Sequence, residues 1–298
     1  MRLALVFSLV AALAGPALAQ DQPASELPDI VVRGPAGRED EARRFIDAVS
    51  VKPVLAVGLA TWRTPFCLQV LNLSPAVTGM LSSQIEARAA NLGVEVQPPS
   101  CRANVTVVAT PDGDETAAAL VDIFPDSFEA SKGPTQLDGR ALDRFLTSDA
   151  AVRWWNLSAP YDTRNHRIIV PFANVPASWR RSLPADFFGE HEVRALLSAV
   201  VVVDARLTAE VPVEALGDYI AMVVLAEVDA TTNYVAYPSI LNMFTATPGL
   251  DGLTDWDLRY LNALYSAPVR SRNSRYQLSE IARMMAAAEA PQAANRPR

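Results

Sequence analysis

The alternation of apolar and polar positions divides the chain into short helices and strands without a steady strand–helix–strand beat. Residues 39–49 have helical spacing, and residues 54–59 and 66–71 are apolar runs of strand length. Ser74-Pro75 is a helix start, a capping hydroxyl followed by a proline whose missing N–H costs nothing in a first turn. Met80, Leu81, Ile85, Ala89 and Leu92 then recur at helical spacing, and Gly93 closes the helix. Residues 105–109 form a β-branched strand, Asp112-Gly113 marks a turn, and 115–124 and 137–146 are two further helices. Strands are expected over 152–157 and 167–170, whereas Pro160, Pro171, Pro176 and Pro184 make 158–190 read as loop.

The last third is the most strongly patterned. Residues 193–203 read as a strand, and 213–228 as a long helix that is apolar on all sides over 220–226, as a buried element is. Tyr237-Pro238 leads into Ser239-Ile240-Leu241, and Thr254 caps a helix that runs to 265. A final amphipathic helix is expected over 276–290, with Tyr276, Leu278, Ile281 and Met285 on one side. Residues 20–38, punctuated by Pro23, Pro28, Gly34 and Pro35, read as a flexible arm with one short extended piece at 30–33. Residues 291–298 read as a disordered tail. Mixed strands and helices without a βαβ rhythm predict an α+β fold, a single mixed domain over 39–290.

The N-terminus carries an address. Arg2 precedes an apolar stretch from Leu3 to Ala14, Gly15-Pro16 ends it, and Ala17-Leu18-Ala19 meets the small-x-small rule for signal peptidase. Residues 1–19 are therefore expected to be a signal peptide cleaved after Ala19, and the mature chain to be periplasmic or secreted. That stretch is shorter than the roughly 20 residues a bilayer span needs, so no membrane span is expected in the mature chain.

Composition sharpens this picture. Half the residues are hydrophobic and 20% are charged, an ordinary globular balance, and the net charge of −7 disfavours nucleic acid as a partner. Cys67 and Cys101 are the only cysteines, and in an oxidising compartment such a pair forms a structural disulfide.

The residues exclude several chemistries. None of the 13 glycines stands in a GxG, so there is no dinucleotide fingerprint, and neither a P-loop nor a GxSxG elbow occurs. His166 and His191 are the only histidines. His191-Glu192 lacks the second histidine four residues on that would let two imidazoles face one zinc ion, because position 195 is Ala. Trp154-Trp155, in a strand, must face opposite ways, so one is expected in the core and the other half-exposed. Asp255 and Asp257 sit in a helix's first turn, where carboxylates favour the positive end of the dipole. Arg270, Arg272 and Arg275 make a local basic patch between helices.

The order strand, long helix, Ser-Ile-hydrophobic loop and Leu-Thr-x-x-Asp helix ending in Leu-Tyr resembles the C-terminal layout of metzincin-type zinc proteases. It runs here through 215–228, Ser239-Ile240-Leu241 and Leu253-Thr254-Asp255-Trp256-Asp257 to Leu264-Tyr265, within residues 190–268. It is also similar to secreted alpha-proteobacterial proteins of unknown function. The family's zinc helix carries HExxH; here Gly217-Asp218-Tyr219-Ile220-Ala221-Met222 stands about there, and 213–228 holds no histidine. The methionine of the family's turn is replaced by Leu241, with Met243 two positions late. The resemblance implies a zincin-like scaffold without its metal site, so no catalytic, cofactor or metal residue is assigned. The expected role is non-catalytic binding of a protein or envelope component. The alternative is a carboxylate-dependent hydrolase such as a glycosidase, which needs two acids about 5 to 9.5 Å apart across a cleft.

Overall fold

The sheet is organised around one long strand that both neighbouring edges use. The computed structural model describes residues 35–51, 58–128, 138–169, 192–245, 250–268 and 274–287. In chain order these form α1 (Pro35–Val49), β1 (Thr61–Trp62), β2 (Leu68–Leu71), α2 (Pro75–Asn91), β3 (Val105–Thr110), α3 (Gly113–Ile123) and α4 (Gly139–Thr147). There follow β4 (Val152–Asp162), β5 (Arg167–Ile168), β6 (Glu192–Asp204), α5 (Val213–Leu225), α6 (Asp255–Ser266) and α7 (Ser274–Ala287). Along one edge β6 pairs antiparallel with β4; along the other it pairs parallel with β1 and then β3. The sheet order is β2-β3-β6-β4-β5. The fold is α+β, and Gly34–Arg298 forms one compact unit.

Both faces of β6 are covered, which is why its sequence is a nearly continuous apolar run. Val201 and Val203 face a core built from Leu81 and Ile85 of α2 and Ile220 and Val224 of α5; α1, α6 and α7 extend that core. Val202 faces the other side, where Ala117 of α3, Phe128 and Phe145 of α4 close over Trp155. Trp154 and Trp155 do point opposite ways, yet both are buried, at 9% and 2% exposure. The expectation of one half-exposed ring is corrected because α3 and α4 cover the second face.

Local chemistry explains most boundaries. Ser74 caps α2, its Oγ accepting from the Val77 N–H at 3.4 Å, and Gly93 takes φ +78 just past the end. Asp112 does more than mark a turn: its carboxylate accepts from the Glu115 N–H at 3.0 Å, so α3 begins at Gly113. Thr254 and Asp257 form a reciprocal capping box at α6. Cys67 and Cys101 are disulfide-bonded, with Cα atoms 6.1 Å apart, tying the start of β2 to the loop before β3.

Several boundaries differ from expectation. The arm 20–38 yields its last four residues to α1, since Pro35 is accommodated at a helix's first position. Of the strand expected at 54–59, residues 54–57 lie outside the described residues, and Gly58 and Leu59 are not in a strand: Gly58 has φ +81, and the Leu59 N–H donates to Gln277 Oε1 at 2.8 Å instead of to a ladder. Strand β4 runs through Pro160 to Asp162, where loop was expected. The Pro160 carbonyl accepts from the Ile169 N–H at 2.8 Å, so its missing N–H faces the short outer strand and costs β6 nothing. Helix α5 ends at Leu225 rather than 228, because the Asn156 amide takes the Val223 and Ala226 carbonyls. The expected signal peptide, the piece at 30–33 and the tail 291–298 lie outside the described residues, as do His191, Arg270 and Arg272. No helix among the described residues is long and apolar enough to cross a membrane.

Candidate functional site

A cavity of about 760 Å³ opens where β4 begins, between the end of α4, the middle of α5 and the segments 230–234 and 241–245. That volume suits a small organic ligand. Its rim is held by Arg153, the second residue of β4, which is 5% exposed. Arg153 Nε donates to the Ser148 carbonyl at 3.0 Å, and Nη2 reaches both that carbonyl and the Asp114 carboxylate. Gly113 makes room for this guanidinium, because a Cβ there would lie 2.7 Å from Nη1. The turn 148–151 is thereby fixed to the N-terminus of α3.

The opposite wall is clamped as firmly. Trp154 Nε1 donates to the Val228 carbonyl at 3.0 Å, and the Tyr234 hydroxyl donates to the Asp229 carbonyl. Asn242 Nδ2 donates to the carbonyls of Tyr234 at 3.0 Å and Tyr237 at 2.7 Å. The loop after α5 is therefore a hydrogen-bonded wall, with its backbone groups largely accounted for.

Tyr219 projects from α5 into this space. Its ring meets Phe244 and Trp154 edge-on, with centroids 5.0 and 6.2 Å apart, and the residue is 5% exposed. Its hydroxyl makes no hydrogen bond with any described residue. Burial pushes the phenol well above its ordinary value, while the Arg144 guanidinium across the cavity pulls it back. Arg144, on the last turn of α4, and Asp149, in the turn beyond, line the same cavity and are exposed. Neither is in an ion pair with a described residue. Asp149 is the single carboxylate among the described lining residues.

Three other polar centres are sealed. The Ser158 hydroxyl donates to the Glu227 carboxylate, Arg194 Nε donates to Ser158 Oγ at 3.0 Å, and Arg194 and Glu227 pair at 3.5 Å. Burial raises the Glu227 carboxyl, and Arg194 opposes that rise. Ser158 is wholly buried, so this trio holds the C-terminal end of α5 to β4 and offers nothing to a ligand. Asp218 accepts from Gln84 Nε2 at 2.6 Å, Arg88 Nε and Nη2 at 2.7 and 2.8 Å, and the Leu253 N–H at 2.9 Å. It thus fastens α5 to α2 and to the approach to α6. Asp257 accepts from the Ser239 hydroxyl at 2.6 Å and the Ile240 N–H at 2.8 Å besides its capping partner. Burial raises it and these bonds pull it down.

The residues singled out by sequence scatter. His166 is exposed on the β4–β5 hairpin at φ 52, with Nδ1 3.4 Å from the Tyr161 hydroxyl. Asp257 is buried in its cap, Asp255 is exposed, and Arg275 is exposed at the start of α7. Among the described residues no three His, Cys, Asp or Glu side chains gather as a metal-holding group. Sequence reasoning missed Tyr219, Arg144 and Asp149. Tyr219 carried a readable mark, a polar-tipped ring in an otherwise apolar helix; the two charges carried none. Compared with known proteins, the chain matches no family model, no curated protein and no solved structure.

Proposed function

We propose that the mature chain works outside the cytoplasm as a non-catalytic binding protein, with the cavity at the start of β4 as its site. The observation that carries this reading is the cavity's polar complement: Arg144, Asp149 and the Tyr219 hydroxyl, none of them bonded to another described residue, set against an aromatic wall. Polar groups that converge on a concave site beside an aromatic wall are what ligand recognition uses. The rival, hydrolysis by paired acids, is disfavoured because Asp149 has no second carboxylate among the described lining residues.

Export rests on the Arg2, Leu3–Ala14 and Ala17-Leu18-Ala19 pattern, and the Cys67–Cys101 disulfide is compatible with an oxidising compartment. We read β6, α5, the Ser239 turn and α6 as a zincin-like layout whose central helix now presents Tyr219 to the cavity in place of metal ligands. An envelope-derived small molecule or an exposed protein terminus fits a site of this size.

The reading is tested by thermal-shift screening of the exported chain against soluble envelope-derived compounds, alongside turnover assays on nitrophenyl glycosides. Saturable stabilisation that disappears in Thr232→Trp, which fills the cavity from its wall, is the expected result. Glycoside turnover that requires Asp149 would establish the hydrolase instead.

A further inference from the structure

The cavity's two free charges have opposite sign and lie close in sequence, at the end of α4 and in the turn that follows it. Arg144 and Asp149 are both exposed, both line the space, and neither is neutralised by another described residue. An uncommitted guanidinium is a donor fork for a carboxylate, and an uncommitted carboxylate accepts from an ammonium. Tyr219 lines the same cavity, 5% exposed, with its hydroxyl bonded to no described residue. That hydroxyl is not sealed from water, so it is open to a ligand that enters the cavity. Phe244 and Trp154 meet the Tyr219 ring edge-on and supply an apolar wall.

We propose that the cavity binds a zwitterion, an amino acid or short peptide with both termini free and an apolar side chain. The ligand's carboxylate lies on Arg144 and the Tyr219 hydroxyl, its ammonium on Asp149, and its side chain against Phe244 and Trp154. A purely anionic ligand would leave Asp149 repelling it, and a purely cationic one would leave Arg144 unused. One charge of each sign suits a ligand that carries one of each. This inference rests on the cavity being a binding site, and it names what that site selects.

The test is isothermal titration of the full mature chain with Phe-Ala, with its N-acetyl form, with its C-terminal amide, and with neutral phenylacetamide. Phe-Ala should bind one to one. Blocking either terminus should weaken it at least tenfold, the scale of one charge-assisted hydrogen bond. Arg144→Gln should erase the discrimination against the amide, and Asp149→Asn the discrimination against the N-acetyl form. Both residues are exposed, so both variants should fold like the parent. Tyr219→Phe should weaken Phe-Ala severalfold while leaving its terminal preferences in place. Equal affinity for all four probes, or binding of phenylacetamide alone, overturns the zwitterion assignment and leaves the binding-site reading standing. Failure of all four to bind at millimolar concentration overturns the zwitterion assignment, and glycoside turnover besides overturns the binding-site reading too.

Discussion

Replacing Asp218 by Ala should be among the most damaging single changes to the fold, and its cost can be worked out bond by bond. The carboxylate is 4% exposed and accepts four hydrogen bonds, two of them from Arg88 in a bidentate pair. The charge-assisted bonds to Arg88 contribute about 1.5–3 kcal/mol. Leaving the Leu253 N–H without its acceptor adds about 1–3 kcal/mol. Arg88 is 28% exposed and can turn to water, so its own charge is not stranded. The loss should therefore be about 2.5–6 kcal/mol, the sum of these two contributions. That is a large part of the roughly 5–15 kcal/mol that holds a domain together. Urea unfolding followed by tryptophan fluorescence reads it directly. With a slope of about 3 kcal/mol/M the midpoint should fall by about 1 M or more. Arg88→Met should cost less than Asp218→Ala, because the carboxylate then keeps Gln84 and Leu253. A midpoint shift under about 0.3 M for Asp218→Ala, or equal losses from both variants, would refute this account of how α5 is anchored.

The other predictions concern the crosslink, the buried glutamate and processing. Changing Cys67 and Cys101 together to Ala should lower stability by about 4 kcal/mol on the chain-entropy model for a 34-residue separation; two thiols titrating in native, unreduced protein would contradict the bridge. Because the folded Glu227 carboxyl lies above its ordinary 4.5, the native state holds a proton the unfolded chain has already lost, and stability falls as pH rises from there through the folded value. Arg194 and Tyr260 face this carboxylate, and Glu227→Gln should flatten that part of the profile relative to the parent; identical profiles from thermal melts across pH 4 to 8 would count against it. Mass spectrometry of exported protein should find Gln20 as the mature N-terminus, a direct check on the Ala17-Leu18-Ala19 reading, and an intact Met1 in the exported fraction would sink it.

What the sequence made legible follows from how local each cause is. The Ser74-Pro75 start, the Thr254 cap and the β-branched run at 105–109 depend on neighbouring residues, and each stands where expected. The extent of β4 past Pro160 depends on which side of the strand lacks a partner, a property of the assembled sheet. That Leu59 leaves the ladder depends on Gln277, a residue more than two hundred positions away. The same holds for the cavity. Arg144 and Asp149 look like ordinary solvated charges in the sequence, and only the assembled fold brings them to line one cavity with Tyr219. The second tryptophan's burial likewise depends on α3 and α4 covering a face whose partner no local pattern names.

The most direct test of the central claim is a crystal structure of the mature chain grown with Phe-Ala. The account predicts the peptide in the cavity at the start of β4, its carboxylate within hydrogen-bond reach of both Arg144 and the Tyr219 hydroxyl, and its ammonium on Asp149. A peptide bound elsewhere on the surface, or a cavity left empty at saturating concentration, would contradict it.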